Sequence, residues 1–281
     1  MSIHDPGLFG MSKHETAIER IRTFCEGQTV LCAFSGGKDS QCCYHLLEES
    51  GVEFHAEYSI TRFEPPELMQ FIRQHYPEVT FRRAFKRNLI ADIEYHGLPN
   101  RWARWCCEAK HCKTDGYSMT LIGVRAEESA NRKANWRMVG RTQQSGRPYL
   151  CPIIDWTTED VWQYLGNRPH CSLYDEGQKR IGCVCCPLNP GHMKADAERW
   201  PKTAAVLRKG ADAFIARMRS MGWTNKRGNP CPDWCEADNP EEEFWQRWLE
   251  NGHTQHITEP EELPCLFEGT GFSNADEGSE I

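Results

Sequence analysis

The stretch VLCAFSGGKDSQCCYHLLEES, residues 30–50, sets a short apolar run before a loop rich in serine and glycine and then returns to a helical pattern. The run Val30–Phe34 is typical of a buried strand, and Ser40–Glu49 has the periodicity of a helix. At such a turn, backbone N–H groups and the helix dipole favour an anion, and glycines let the backbone approach it closely. The sequence therefore predicts a phosphate-binding loop formed by Ser35, Gly36, Gly37, Lys38, Asp39 and Ser40, without the glycine spacing of a Walker A motif.

Segments on both sides of this loop continue the alternation of strand and helix. Strands are expected at Val52–Ile60, Val79–Phe81 and Met119–Val124, and helices after Ser12 and at Pro66–Tyr76, Thr158–Leu165, Lys194–Leu207, Ala211–Met221 and Glu241–Leu249. Because alternating strands and helices need crossover connections, we expect an α/β fold with a twisted parallel sheet, flanking helices and a mostly helical C-terminal extension. The expected domains are residues 1–190 for nucleotide binding and 191–281 for the extension with its acidic tail.

Cysteine is unusually frequent, at 15 of 281 residues. No stretch approaches the roughly 20 apolar residues of a membrane span, and the N-terminus lacks a signal-peptide pattern, so a cytoplasmic protein without membrane contact is expected. A reducing compartment disfavours a disulfide framework. Metal or cluster ligation is therefore the leading explanation for several of these cysteines.

Charge is distributed unevenly along the chain. Residues 82–147 carry 14 Lys/Arg against 6 Asp/Glu, whereas residues 228–281 carry 1 against 14. The basic segment suits a polyanion such as a nucleotide or a nucleic acid, and the acidic tail is typical of a solvated segment. An ordinary charged surface is the alternative for both.

The hexapeptide SGGKDS matches the SGGxDS signature of PP-loop enzymes, which attack the α-phosphate of ATP and release pyrophosphate. Three further stretches resemble the phosphoadenosine phosphosulfate (PAPS) reductase-like branch of that superfamily. They are GLPNRWARWCCEAKHCK (97–113), LIGVRAEESANR (121–132), and CPIIDWTTEDVWQYL (151–165) running on to LYDEGQKRIGCVCCP (173–187). The resemblance covers residues 30–187 and implies an adenine nucleotide α-hydrolase-like fold.

The cysteines within these stretches resemble those of iron–sulfur adenylyl sulfate reductases, in which a tandem Cys-Cys and a later Cys-x-x-Cys bind a 4Fe-4S cluster. The resemblance implies Cys106, Cys107, Cys183 and Cys186 as the ligands, and thiolates are what such a cluster requires. Cys112 and Cys185 are extra thiols that could replace one of them. Zinc and unligated buried thiols are the alternatives.

The same resemblance implies a nucleotide site that includes the segment after the fourth strand. A strand ending at Arg125 would bring Gly123, Arg125 and Glu128 to the carboxyl edge of the sheet, where open α/β sheets bind ligands. The expected nucleotide-binding residues are Ser35, Gly36, Gly37, Lys38, Asp39, Ser40, Gly123, Arg125 and Glu128, with Lys38, Asp39 and Arg125 as catalytic candidates. Lys38 and the loop amides would stabilise phosphate charge together with Mg²⁺, and a surface role is the alternative for Arg125.

Two activities are consistent with the resemblance. In the first, a substrate oxygen attacks the α-phosphate of ATP, pyrophosphate leaves, and the adenylated substrate, for example tRNA or DNA, accepts sulfur from a donor. In the second, the loop holds adenylyl sulfate (APS) or PAPS, and a thioredoxin-like carrier helps to release sulfite. The first is favoured because the loop is the intact SGGKDS of ATP users and because the Glu-Cys-Gly-x-His segment typical of the reductases is missing. A nucleotide- and cluster-sensing module without enzymatic activity is a third hypothesis.

A second group of metal-ligand side chains lies near the C-terminus. Its members are Cys231, Cys235, His253, His256 and Cys265. Their spacing fits no standard zinc pattern, so free thiols and isolated histidines are favoured over a second metal site.

Overall fold

Six short strands form one mixed sheet in the computed structural model, which describes residues 2–6, 10–111, 116–142, 146–222 and 237–252. The strands are β1 (Val30–Ala33), β2 (Phe54–Ile60), β3 (Thr80–Arg83), β4 (Met119–Leu121), β5 (Val139–Arg141) and β6 (Pro148–Leu150). Their spatial order is β3-β2-β1-β4-β6-β5, and neighbours are parallel except for β5 with β6. The expected α/β class is confirmed, with a mostly parallel sheet and one antiparallel edge strand.

The direction in which strands are added changes at β1. From β1 the chain moves outward to β2 and β3, and it later returns to the other side of β1 as β4. The carboxyl ends of β1 and β4 are neighbours because these strands are parallel, with Cys32 opposite Leu121. Open α/β sheets bind ligands in the crevice at such a point. The predicted phosphate loop follows β1 directly, so the fold places it at this crevice.

Helices cover the sheet and form the helical region towards the C-terminus. In the described residues they are α1 (Lys13–Cys25), α2 (Lys38–Ser50), α3 (Pro66–His75), α4 (Leu89–His96), α5 (Trp105–His111), α6 (Ala130–Asn135), α7 (Thr158–Leu165), α8 (Met193–Arg199), α9 (Pro201–Ser220) and α10 (Pro240–Asn251). None of these helices is both long and apolar enough to cross a membrane. The expected helical C-terminal region is confirmed by α8, α9 and α10.

The helix α7 begins with a capping box in which Thr157 and Asp160 satisfy each other's backbone N–H groups. The carboxylate of Asp160 also pairs with the ammonium group of Lys13. Burial alone would raise the pKa of Asp160, but hydrogen bonds from Lys13 and from the backbone of Thr157 hold it below its ordinary value. This carboxylate is therefore charged at neutral pH and stabilises the start of the helix.

Several expected element boundaries are wrong for identifiable local reasons. The fourth strand ends at Leu121, because the N–H of Val124 bonds to the carbonyl oxygen of Ile122 at 2.9 Å and turns the chain out of the sheet. The helix expected at 194–207 is divided between α8 and α9, because Pro201 starts a new helix that runs to Ser220. The β5–β6 hairpin and the short helices α4, α5 and α6 were not expected from the sequence.

The described residues divide into two compact units, each built from two segments of chain. The first comprises residues 1–84 and 108–182 and contains the whole sheet, with α2 packed against α1 and α7. The second comprises residues 85–107 and 183–281, and in it α4 packs on α9 so closely that a Cβ atom on Gly210 would lie 2.7 Å from Cβ of Ile93. The expected domain boundary at residue 190 stays a prediction.

Candidate functional site

The loop after β1 is closed by hydrogen bonds among its own residues. Gly37 is the N-cap of α2, and its carbonyl oxygen accepts from the N–H of Gln41 at 3.0 Å. The hydroxyl of Ser40 donates to the same carbonyl at 2.9 Å and accepts from the N–H of Ser35 at 3.1 Å. No side chain caps the first turn of α2, because its N-cap is glycine. The loop therefore presents the positive end of a helix dipole at the carboxyl end of β1.

Gly36 holds a backbone conformation and a space that only glycine accepts. Its φ angle is 71°, in the left-handed region, and a Cβ atom there would lie 2.6 Å from Cδ1 of Ile72 and 2.8 Å from Cδ1 of Leu68. Both neighbours belong to α3. The first glycine of the SGGKDS motif thus lets the loop pack against α3.

Gly123 also allows a close approach, in this case to the backbone at the start of α2. A Cβ atom on Gly123 would lie 2.8 Å from the carbonyl carbon and oxygen of Asp39 and 3.0 Å from the backbone nitrogen of Ser40. The segment that leaves β4 therefore lies directly against the first turn of α2. Of the residues expected to bind nucleotide, Gly123 acts in this structure through close backbone packing.

Lys38 is the first residue of α2, and its side chain is only 5% exposed. Its Nζ lies 3.1 Å from Oδ2 of Asp39 and 3.4 Å from the carbonyl oxygen of Lys179. Its backbone N–H donates to the hydroxyl of Tyr174 at 3.0 Å. The charged group and the amide of Lys38 both meet oxygen atoms of the segment 174–179. A buried ammonium group in the loop provides a fixed positive charge for an anion.

Arg125 is buried beside the loop and bound on every side by protein groups. Its Nε donates to Oδ1 of Asp39 at 2.5 Å, and Nη1 donates to Oε2 of Glu127 at 2.8 Å. Nη1 and Nη2 also reach the carbonyl oxygen of Trp156 and the hydroxyl of Thr158, both at 3.3 Å. Burial opposes the charge, yet Asp39 and Glu127 hold the pKa of Arg125 above its ordinary value. In this geometry Arg125 fixes Asp39, and its contact with phosphate stays a prediction.

Glu128 joins this group from the 3₁₀ turn Ala126–Glu128. Its carboxylate accepts from the backbone N–H of Arg125 at 3.2 Å and pairs with the guanidinium of Arg132. Burial lowers the pKa of Arg132, as does the positive charge of Arg180 and Arg125, whereas Glu128 raises it. Cationic side chains therefore gather at this edge of the sheet, where an anionic ligand would relieve their mutual repulsion.

The four cysteines expected to bind a cluster all belong to the second unit. Cys106 and Cys107 lie at the start of α5, and Cys183 and Cys186 lie in the turn that precedes α8. The pKa of Cys106 is raised well above its ordinary value by a hydrogen bond with Cys107, by burial and by the proximity of Cys183 and Cys186. The fold thus brings together two cysteine pairs separated by more than 70 residues of sequence.

The chemistry of this cysteine set fits an iron–sulfur cluster. The thiols of Cys107, Cys183 and Cys186 raise the pKa of Cys106, so the four would be unfavourable together as thiolates unless a cationic centre neutralised them, and a bound metal deprotonates its thiol ligands. Among the described residues, no group of three or more His, Cys, Asp or Glu side chains converges as a site for one metal ion. A 4Fe-4S cluster distributes its four thiolates over four irons and does not require that convergence.

Cys185, an alternative ligand, is placed differently from its neighbours. It is 1% exposed, and its thiol lies 3.4 Å from the carbonyl oxygen of Met193. Its backbone is left-handed, with φ of 52°, and its N–H donates to Oδ2 of Asp196 at 2.9 Å. Cys185 thus shapes the turn between Cys183 and Cys186. Some candidates lie outside the described residues: Cys112 and the C-terminal group Cys231, Cys235, His253, His256 and Cys265.

Sequence reasoning missed several residues that lie beside the loop Ser35–Ser40. Tyr174, Lys179 and Arg180 lie in the stretch LYDEGQKR, and Arg132 ends the stretch LIGVRAEESANR. Both stretches belong to the motifs described above, but the contacts that these four side chains make could not be predicted from them. A tyrosine or an arginine carries no local signal of a contact made more than 130 residues away, as between Tyr174 and Lys38.

A family model, the phosphoadenosine phosphosulfate reductase domain, matches residues 29–189, which is more than half of the chain. The matched region includes the phosphate loop, Gly123, Arg125 and both cysteine pairs.

Individual proteins are also similar to this chain in sequence. An uncharacterised protein of Methanocaldococcus jannaschii is 30% identical over 70% of this chain and 44% of its own length. The adenosine 5'-phosphosulfate reductase of Shouchella clausii is 28% identical over 63% of this chain and 79% of the relative. Adenosine 5'-phosphosulfate reductase 2 of Bacillus subtilis is 26% identical over 62% of this chain and 79% of the relative. The chain spans less than half the length of the archaeal relative.

Solved structures are similar at low identity. An FMN adenylyltransferase of Candida glabrata, in complex with FMN and an ATP analogue, is 16% identical, with a TM-score of 0.46 over 61% of this chain and 63% of that one. The PAPS reductase of Candida auris, solved as a phosphate complex, is 14% identical, with a TM-score of 0.45 over 60% of this chain and 88% of that one. The family match, the strand order and the phosphate loop together show that the chain belongs to the phosphoadenosine phosphosulfate reductase family, with the nucleotide-binding fold of the PP-loop superfamily.

Proposed function

We propose that this chain is an iron–sulfur enzyme of sulfur metabolism that binds ATP at Ser35–Ser40 and cleaves it between the α- and β-phosphates. An oxygen of the acceptor attacks the α-phosphorus, the bond from that phosphorus to the bridging oxygen breaks, and pyrophosphate leaves with the electron pair. The acceptor proton passes to water. The observation that carries the proposal is the buried Lys38 in an uncapped glycine loop at the crevice between β1 and β4.

The residues around the loop would have different roles in the reaction. Lys38 and the N–H groups at the start of α2 would stabilise charge that develops on the phosphates. Arg125 would hold the carboxylate of Asp39, to which it is bonded at 2.5 Å, and Glu128 would hold Arg132. Mg²⁺ would arrive with the nucleotide, since it binds chiefly through phosphates, waters and one or two carboxylates. Asp39 is the nearest such carboxylate to Lys38 in the loop.

The cluster proposal concerns Cys106, Cys107, Cys183 and Cys186, which would each ligate one iron. The effect of the other three thiols on the pKa of Cys106 supports it, together with the resemblance of the cysteine spacing to that of iron–sulfur adenylyl sulfate reductases. A bound cluster would supply electron storage and sulfide chemistry. The acceptor would be tRNA or DNA, with a separate sulfur donor, and the excess of basic residues in the segment 82–147 supports a polyanionic acceptor.

Reduction of APS or PAPS is the second candidate. It is supported by the family model and by relatives that are named adenosine 5'-phosphosulfate reductases. In that reaction the crevice would hold the sulfonucleotide, a thioredoxin-like carrier would provide two electrons, and sulfite and the nucleoside phosphate would be released.

A paired assay separates the two activities. Anaerobically reconstituted protein is incubated with α-labelled ATP, Mg²⁺ and tRNA or DNA, and in parallel with labelled APS or PAPS and reduced thioredoxin. We expect pyrophosphate and acceptor-bound AMP in the first reaction, with free AMP released when sulfide is added to displace it, and little sulfite in the second. Lys38→Ala should lower turnover more than affinity, because the lost charge acts most on the transition state. Lys202→Ala, which removes an exposed lysine of α9, is the control.

Other outcomes of the paired assay would favour a different function. Sulfite production with ATP left intact would replace the proposed reaction by sulfonucleotide reduction. Tight nucleotide binding without turnover in either reaction would indicate a sensing module. Binding to tRNA or DNA should weaken steeply between about 50 and 200 mM salt, because phosphate contacts release counterions. Binding that is absent or independent of salt would remove nucleic acid as the acceptor.

A further inference from the structure

The helix α10 contacts both segments that carry the cysteine pairs. The indole Nε1 of Trp248 donates to the carbonyl oxygen of Pro99 at 2.7 Å, in the loop that leads to Cys106. Gly252, the C-cap of α10, lies against Pro187, the residue after Cys186. The helix belongs to the second unit, like the cysteines, but lies beyond the family match, which ends at residue 189.

The contact with the first segment is buried and continues to the tandem cysteines. Trp248 is fully buried, and its hydrogen bond fixes the loop at Pro99. The loop is fixed again at Gly97, whose carbonyl oxygen accepts from the indole of Trp105 at 3.2 Å. Trp105 immediately precedes Cys106 and is stacked on His96 with ring centroids 5.1 Å apart. The position of α10 is thus transmitted to the start of α5.

The contact with the second segment leaves no room for a side chain. A Cβ atom on Gly252 would lie 2.8 Å from the carbonyl oxygen of Pro187 and 3.0 Å from its Cα. Gly252 also has φ of 68°, and its N–H donates to the carbonyl oxygen of Trp248 at 2.8 Å. Trp248 and Gly252 are therefore one helical turn apart and joined by the capping bond.

We infer that the last turn of α10 is a positioning element that sets the separation between the Cys106–Cys107 pair and the Cys183–Cys186 pair. One rigid turn touches both segments, so a shift of either contact changes the distance between the pairs. This inference rests on the proposed function insofar as the cysteines hold a cluster, while the positioning itself is a property of the protein without metal. Trp248 and Gly252 are positioning residues, since they act through Pro99 and Pro187.

Two variants change one contact each. Trp248→Phe keeps most of the buried ring and removes the hydrogen bond to Pro99, and Gly252→Ala pushes on Pro187. Both should lose iron to a chelator at least about fivefold faster than the unchanged protein, the effect of one buried hydrogen bond. The loss is followed anaerobically by the visible absorbance of the cluster, at a temperature where circular dichroism shows every variant to be folded. Gln246→Ala is the control, because Gln246 is an exposed residue of the same helix and its side chain bonds to Glu242 within that helix.

A second measurement uses the protein without metal. Dibromobimane bridges neighbouring thiols, and mass spectrometry of the digest reports bridges between the two cysteine pairs. Trp248→Phe and Gly252→Ala should lower the yield of such bridges, and Gln246→Ala should not. If the unchanged protein takes up no iron, the cluster proposal fails and the bridging yields still test the positioning. Iron loss and bridging equal to those of the unchanged protein in both variants would overturn the inference.

Discussion

Replacement of Gly123 by alanine tests whether the crevice depends on the close approach of β4 to the start of α2. The new methyl group would lie 2.8 Å from the carbonyl carbon and oxygen of Asp39 and 3.0 Å from the nitrogen of Ser40. Carbon contacts are favourable near 3.5 Å, so the two segments must separate by roughly 0.7 Å. All three contacted atoms belong to the backbone, and no side-chain rotation can relieve the clash.

The separation should lower both stability and nucleotide affinity. Overpacking of this kind costs about 1–3 kcal/mol, and each kcal/mol lowers the melting temperature by roughly 2–4 °C in a protein of this size class. The displaced peptide belongs to Asp39, whose carboxylate is bonded to Arg125 at 2.5 Å, so the loop geometry changes with it. We expect the dissociation constant for a non-hydrolysable ATP analogue to rise about tenfold or more, since shifts well below 1 Å already disturb hydrogen-bonded phosphate contacts.

The assays are thermal unfolding and isothermal titration calorimetry, with Gly191→Ala as the matched control. A Cβ atom on Gly191 meets no atom within 4 Å, so that variant should melt and bind as the unchanged protein does. Gly123→Ala protein with unchanged melting temperature and unchanged affinity would refute the close-packing argument. Lower stability with unchanged affinity would show that the crevice tolerates the displacement and that Gly123 serves stability alone.

Three further predictions concern other parts of the molecule. Tyr174→Phe removes the hydroxyl that occupies the backbone N–H of Lys38, so the ATP analogue should bind about fivefold more tightly by calorimetry; equal or weaker binding would contradict this. Asp160→Asn should lower the melting temperature at pH 7, because a carboxyl group whose pKa is lowered by folding stabilises the folded state while it is ionised. The difference in melting temperature should vanish as the pH falls through the folded-state pKa of Asp160. A difference that does not depend on pH would show that the stabilisation does not come from the charge of Asp160. Cys185→Ala should retain iron in a colorimetric assay whereas Cys186→Ala loses it, and the reverse result would exchange their roles.

The local features of the fold were predictable from the sequence because neighbouring residues decide them. The loop Ser35–Ser40 needs only an apolar strand before it, glycines within it and a helix after it. The capping box at Thr157 follows from two residues three positions apart. Pro201 marks the break between α8 and α9, a signal that the apolar periodicity of the region obscured.

Other features had no local signal. The strands β5 and β6 have three residues each, too few to establish a periodicity, and they form through pairing with each other and with β4. The end of β4 at Leu121 is decided by a turn, while the apolar pattern continues to Val124. Short elements of this kind depend on their neighbours in space more than on their own composition.

The α/β class, the glycine loop Ser35–Ser40 and the candidate cysteines could be read from the sequence, since each depends on residue types at short, fixed spacing. The folded structure was needed to find that Arg125 is bound to Asp39, that Tyr174 accepts a hydrogen bond from the amide of Lys38, and that the two cysteine pairs lie near each other. These contacts join residues that are 76 or more positions apart. The physical reason is that such contacts form only when packing of the whole core offsets the entropy of closing long loops, and no short stretch of sequence records that balance.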